Sequence, residues 1–122
     1  MASEGAPARH EAGTIVVLNA DSMGRGDDGL GAKLMGSFLR TLATVEPKPD
    51  AIIFYNAAVK LLALDSAHLE PLRQLEDAGV DLLACVTCLE FYALTGKLAL
   101  GHVSNMREIV QRTMAAGKVV TL

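Results

Sequence analysis

The chain has 122 residues, a length typical of one domain, and a net charge of −3 from 11 basic and 14 acidic residues. The basic residues are scattered and aromatic residues make up 4% of the chain, which argues against nucleic acid as a partner. No apolar run approaches the roughly 20 residues of a membrane-spanning helix or forms the core of a secretion signal, so we expect a cytoplasmic protein that contacts no membrane.

The first half of the chain alternates between apolar strands and helical stretches. Residues 1–13, rich in Ala, Gly, Glu and Pro, predict an unstructured tail before one domain over residues 14–122. Thr14–Ala20 and Ala51–Tyr55 are short, apolar and β-branched, which predicts buried strands. A 3.6-residue period over residues 29–44 predicts a helix between them, whose buried side carries Leu30, Leu34, Phe38 and Leu42.

The second half continues the alternation. Short apolar runs predict strands at Val80–Ala84, Leu98–Leu100 and Lys118–Leu122. The stretches between strands predict helices over residues 59–64, 66–78 and 88–94, and a last helix capped by Ser104 or Asn105, with Glu108 as the capping-box partner of Asn105. The inner face of that last helix is expected to carry Met106, Ile109, Val110, Thr113 and Met114. The whole order predicts an α/β fold, a three-layer α/β/α sandwich around a five-stranded parallel sheet.

A glycine-rich loop follows the first strand. Gly24, Gly26 and Gly29 have the G-x-G-x-x-G spacing of a dinucleotide-binding turn. The glycines come several residues after the strand, and Asp27 and its neighbour would repel a pyrophosphate, so we favour a flexible loop whose aspartates cap the helix. Arg25 is the residue of this loop that could hold an anion, as part of a substrate site.

The two cysteines, Cys85 and Cys88, form a C-x-x-C motif directly after the third predicted strand. Ligands of open parallel sheets bind beyond the carboxyl ends of the strands, so both thiols are expected at the functional edge. A helix beginning near Thr87 would favour a thiolate there, able to attack a disulfide, carry sulfur as a persulfide or bind a soft metal. Two buried, unreactive cysteines in an apolar neighbourhood are the alternative.

A metal site would need further ligands. His102 lies fourteen residues beyond Cys88 and His68 lies elsewhere, whereas structural zinc sites usually take four side-chain ligands in close pairs. We predict neither metal nor cofactor, and expect His102 to be a loop histidine.

Four segments in order carry a family resemblance: NADSMGRGDDGLGAKLMGSFLRTL, IIFYNAAVKL, GVDLLACVTCLEFYAL and VSNMREIV. The chain resembles the DsrE-like domain of YedF-type selenium-metabolism, sulfurtransferase-like proteins over about residues 14–122. The resemblance implies the DsrE/DsrF-like fold and a persulfide carried on Cys85. The family tends to have glycine where this chain has Ala58 and Val86.

Together these observations predict a sulfurtransferase-like protein that carries sulfur or selenium on Cys85, assisted by Cys88. Asn56, Ser104 and Asn105 are expected to shape the substrate pocket. The expected partners are a sulfur donor or acceptor protein, such as a TusA-like one, and further copies of the chain in a trimer or hexamer. The alternatives are a non-catalytic, oligomeric partner-binding subunit and a thiol redox switch that cycles between dithiol and disulfide.

Overall fold

The structure is a computed structural model and describes residues 13–122; the predicted tail, apart from Gly13, lies outside the described residues. Within residues 13–122, five strands alternate with four α-helices and one 3₁₀ helix. The strands are β1 (Thr14–Leu18), β2 (Ala51–Phe54), β3 (Asp81–Cys85), β4 (His102–Ser104) and β5 (Lys118–Thr121). The helices are α1 (Asp28–Leu42), the 3₁₀ helix (Asn56–Leu62), α2 (Leu69–Asp77), α3 (Val86–Phe91) and α4 (Met106–Ala115).

All five strands pair in parallel, in the order β4-β3-β2-β1-β5. Strands β1 to β4 step across the sheet in one direction and β5 returns to the far side of β1. Because crossovers between parallel strands are right-handed, this reversal places α4 on the face opposite α1 and α2. The predicted α/β fold with a five-stranded parallel sheet is confirmed.

The sheet divides the core into two apolar clusters, one on each face. Ile52 and Phe54 of the central strand β2 pack on the side of α1 and α2, whereas Ile53 packs on the side of α4. All three are fully buried, which stabilises the fold by roughly 1.5–3 kcal/mol for each large apolar side chain. Cys85 belongs to the cluster on the α4 side.

Helix α1 is turned by about one residue from its predicted orientation. Phe38 and Leu42 pack half-buried against the core as predicted, but Leu30 and Leu34 are exposed. The fully buried residues of the helix are Gly31, Met35, Gly36 and Leu39. The reason is a close approach at Gly31, where an added Cβ would lie 3.0 Å from the Cβ of Ser22. The glycines let the helix pack tightly against the preceding loop, and the bulkier leucines are left at the surface.

Helix α4 also differs from its prediction. Ile109 is buried as expected, but Met106, Val110 and Met114 are exposed, so the predicted inner face is largely wrong. The helix instead turns two polar side chains, one turn apart, toward partners on the sheet: Glu108 toward Ser104 and Arg112 toward Asp81. The satisfaction of these partly buried polar groups fixes the orientation of the helix.

The fourth strand is His102–Ser104, not the predicted Leu98–Leu100. The apolar segment pairs with the end of the 3₁₀ helix, through an antiparallel bridge from Leu98 to Ala63 and a 2.8 Å hydrogen bond from Ala99 N–H to the Leu62 carbonyl. Gly101, at φ +76°, then turns the chain into the sheet.

Among residues 13–122, none of the helices combines the length and the apolarity that crossing a bilayer requires.

Candidate functional site

Both cysteines are free thiols at the carboxyl end of β3, as predicted. Cys85 is the last residue of the strand, and Cys88 lies in the first turn of α3, which begins at Val86, two residues before its predicted start. Only 2% of Cys85 is exposed, whereas Cys88 is half-buried. A reactant arriving from solvent therefore meets Cys88 first.

A backbone hydrogen bond connects Cys88 to the end of the neighbouring strand. The Asn56 N–H donates to Cys88 Sγ, with 3.0 Å between nitrogen and sulfur. Asn56 adopts φ +50°, a left-handed conformation that asparagine tolerates better than most residues. The turn after β2 thus brings the backbone N–H of Asn56 to the sulfur of Cys88.

The pKa of the Cys88 thiol is raised above its ordinary value. Burial is the largest cause, and the hydrogen bond and charge of Cys85 raise it further, while the N–H of Asn56 acts in the opposite direction. The predicted thiolate at the start of the helix is therefore wrong for the resting dithiol. At neutral pH the thiol form of Cys88 dominates, and it must lose its proton before it can attack.

Two tyrosines lie near the cysteine pair and Asn56. Tyr55, directly after β2, hydrogen-bonds through its hydroxyl to Met106 Sδ at 3.8 Å. Its pKa is raised by burial first and then by the charges of Cys85 and Cys88, so it stays neutral beside them. The Tyr92 hydroxyl donates to Asn56 Oδ1 at 2.9 Å.

Ser104 and Asn105, predicted as pocket residues, lie at the end of the adjacent strand. Ser104 is in register with Cys85, is buried and donates its hydroxyl to Glu108. Asn105 caps α4: its Oδ1 accepts from the Glu108 N–H at 2.9 Å. This confirms the predicted cap, although the Glu108 carboxylate bonds to Ser104.

The glycine-rich loop is arranged as a helix cap. Asp27 is the N-cap of α1, and its carboxylate accepts from the Leu30 N–H at 2.7 Å, as predicted. Arg25 is exposed in this loop after β1, and β2 separates β1 from β3. In the described residues, the hydrogen bonds of the cysteine pair do not include Arg25.

Ala58 and Val86, which replace glycines expected from the family resemblance, occupy ordinary backbone conformations. Among the described non-glycine residues, positive φ occurs at Asn56 and Ala93. Neither substituted position therefore needs the conformational freedom of glycine.

His102 is the first residue of β4, not the predicted loop histidine, and it is hydrogen-bonded to Asp81. Its Nε2 lies 2.8 Å from Asp81 Oδ1, while Arg112 donates to Asp81 Oδ2 at 2.8 Å. Burial alone would raise the pKa of Asp81, but these two hydrogen bonds outweigh it and lower the pKa. Asp81 begins β3, at the end opposite the cysteines. Within residues 13–122, no cluster of three or more His, Cys, Asp or Glu side chains could hold a metal ion.

Tyr55, Tyr92 and Lys60 were not predicted as site residues. The position of Tyr55, immediately after a buried parallel strand, was one available signal. Tyr92 follows Cys88 by four residues, a spacing that places two side chains on one helix face, and this was the other.

No protein-family model and no curated protein matches this sequence. Among solved structures, the chain is similar to the ychN protein from E. coli, with a TM-score of 0.69 and 18% identity over 90% of this chain and 99% of that one. It is also similar to MTH1491, a protein of unknown function from Methanobacterium thermoautotrophicum, with a TM-score of 0.64 and 23% identity over 89% of this chain and 97% of that one. Both are DsrE-like fold proteins. The chain therefore has the DsrE-like α/β fold.

Proposed function

We propose that the protein carries sulfur, or selenium, on its C-x-x-C pair, and that Cys88 is the thiol that accepts it. The observation that carries the proposal is the difference between the two thiols. Cys88 is half-buried and accepts a hydrogen bond from the Asn56 N–H, whereas Cys85 is buried. The motif resemblance to YedF-type proteins favours Cys85 as the carrier. The exposure of the two side chains leads us to assign the accepting role to Cys88 instead.

The transfer step needs no cofactor. The Cys88 thiol loses a proton to solvent, and its thiolate attacks the outer sulfur of a donor persulfide, R–S–SH. A bond forms between Cys88 Sγ and that sulfur, the donor S–S bond breaks, and the donor leaves as a thiolate. The reverse attack by an acceptor thiolate returns Cys88 and yields the acceptor persulfide. Electrons and atoms balance because the same sulfur atom moves each time.

A thiol redox pair is the second candidate, and the packing of Cys88 against the apolar cluster that contains Cys85 favours it. A disulfide substrate would be attacked by Cys88, which forms a mixed disulfide and releases one thiolate. Cys85 would then displace the second thiolate and close the Cys85–Cys88 disulfide. The substrate disulfide is reduced as the protein is oxidised.

Intact mass spectrometry tests the carrier function. After incubation with cysteine persulfide and removal of the donor, we expect one added sulfur on the wild type, lost when a small acceptor thiol is added. The double variant Cys85→Ser/Cys88→Ser is the matched control. A wild type that takes up no sulfur would contradict the proposal: an unchanged mass favours a non-catalytic binding subunit, and the loss of two hydrogens favours the redox pair.

We also propose that the chain forms a homo-oligomer and that a donor or acceptor protein, such as a TusA-like one, approaches the cysteine edge. Support for the oligomer comes from the apolar stripe of α4, which consists of Met106, Val110 and Met114 at four-residue spacing, all of them exposed. Burying such a stripe against a second copy would remove apolar surface from water.

Val110→Glu should lower the solution mass measured by light scattering toward that of one chain, because the added charge would be buried unpaired in the interface. Gln111→Glu, one position along the same helix, adds the same charge outside the stripe and should leave the mass unchanged. A wild type that is already monomeric, or an assembly that survives Val110→Glu, would contradict the placement of the interface.

A further inference from the structure

Asn56 is held to helix α3 at two points. Its backbone N–H donates to Cys88 Sγ at 3.0 Å, and its side-chain Oδ1 accepts from the Tyr92 hydroxyl at 2.9 Å. Cys88 and Tyr92 lie one turn apart in the chain, and the Tyr92 N–H donates to the Cys88 carbonyl. Asn56, which lies just after β2, therefore connects the Cys88 sulfur to the C-terminal end of helix α3.

The left-handed backbone of Asn56 needs such support. A non-glycine residue at positive φ persists where its surroundings hold it there, since other conformations are lower in energy. The Tyr92 hydroxyl is the hydrogen-bond donor that the structure gives to the Asn56 side chain. Without that bond the turn can relax and move its N–H away from Cys88 Sγ.

The Tyr92 ring is itself held from two sides. The ammonium group of Lys60 lies 4.5 Å from the ring centroid, an attractive cation–π distance. Phe91 meets the ring edge to face, with 5.0 Å between centroids. The hydroxyl therefore points at Asn56 from a fixed ring.

We propose that Tyr92 is a positioning residue for the cysteine site: its hydroxyl holds the Asn56 side chain and thereby keeps the Asn56 N–H on Cys88 Sγ. This rests on the proposed role of Cys88 as the accepting thiol. The N–H stabilises the developing negative charge on sulfur when the proton leaves. The other titratable neighbours of Cys88 are Cys85 of β3 and Tyr55, directly after β2, and both are left unchanged by a substitution at Tyr92.

The pH profile of Cys88 alkylation by iodoacetamide tests the proposal without any sulfur transfer. Tyr92→Phe keeps the ring and its contacts but removes the hydroxyl. Its profile should move to higher pH, so that the rate below the plateau falls about three- to tenfold while the plateau rate is kept. Tyr55→Phe, which removes a hydroxyl beside the same thiols, is the matched control and should keep the wild-type profile.

Asn56→Gly separates positioning from a general structural effect, because glycine keeps the positive φ and the N–H but lacks Oδ1. It should show the same displacement as Tyr92→Phe, and the double variant should show no more than either. The proposal is overturned if Tyr92→Phe keeps the wild-type pH profile. It is also overturned if adding Tyr92→Phe to the Asn56→Gly variant displaces the pH profile further by the same amount. Because iodoacetamide reports the thiol alone, neither result depends on whether the protein carries sulfur.

Discussion

Iodoacetamide should modify Cys88 of the native protein about a hundredfold faster than Cys85. Cys85 is 2% exposed and packs beneath α4, so it reacts after a local opening, whereas Cys88 is half-buried and reacts from the native state. Each 1.4 kcal/mol of opening free energy slows a reaction tenfold, and an opening that costs about 3 kcal/mol gives the expected ratio. Peptide mapping after timed quenching measures both rates in one sample.

The pH dependence of the same reaction tests the raised pKa of Cys88. Alkylation should accelerate with pH through neutrality and reach its plateau above about pH 8.5, the ordinary thiol value. Cys85→Ala removes two of the causes that raise the pKa and should move the plateau to lower pH, although burial, the largest cause, remains. Equal rates at the two cysteines of the folded protein, or a Cys88 plateau below neutrality, would contradict this description of the site.

Gly101→Ala should reduce the free energy of unfolding by about 2–5 kcal/mol. At φ +76°, an L side chain costs roughly 1–2 kcal/mol. An added Cβ would also lie 2.9 Å from the Leu82 carbonyl oxygen, and relieving such an overlap costs about 1–3 kcal/mol. The residue matters for the site because it turns the chain into β4, whose last residue, Ser104, lies in register with Cys85.

Gly96→Ala is the matched control for this prediction. Gly96 has φ +78°, but an added Cβ there meets no atom within 4 Å. It should therefore lose the backbone contribution alone, about 1–2 kcal/mol by urea unfolding. Equal losses in the two variants would show that β4 accommodates a Cβ at Gly101, contrary to the close packing described above.

The central strands could be predicted from the sequence because the apolar pattern that identifies them lies in consecutive residues. After the first residues of β1 and β3, Thr14 and Asp81, the strands β1, β2 and β3 are continuous apolar runs, as expected of parallel strands buried on both faces. β4 is an edge strand in which His102 and Val103 are exposed, so it lacks that pattern. The apolar Leu98–Leu100 has the pattern of a strand, yet it packs beside the 3₁₀ helix instead.

The orientation of the helices could not be predicted from apolar spacing alone. In α1 the tight approach at Gly31 decides which side faces inward, and in α4 the polar pairs of Glu108 and Arg112 decide it. Both depend on partners distant in the sequence. Several side chains that a periodic pattern assigns to the core are left on the surface, namely Leu30, Leu34, Met106 and Met114.

The location of the cysteine pair followed from topology, but its chemistry did not. Any motif after a buried parallel strand reaches the carboxyl edge of the sheet, which is why Cys85 and Cys88 were placed correctly. The pKa of Cys88 depends on its burial and on the backbone of Asn56, which no local pattern reveals. The difference in exposure between the two thiols likewise arises from the packing of Cys85 beneath α4.

The position of the transferred sulfur tests the central claim most directly. Cys85→Ser and Cys88→Ser, each loaded with cysteine persulfide, trapped by alkylation and mapped by peptide mass, leave one thiol apiece to accept sulfur. We predict that Cys85→Ser gains one sulfur on Cys88 and that Cys88→Ser gains none in the time that loads the wild type. Sulfur found on Cys85 in Cys88→Ser, with none on Cys88 in Cys85→Ser, would contradict the assignment of Cys88 as the accepting thiol.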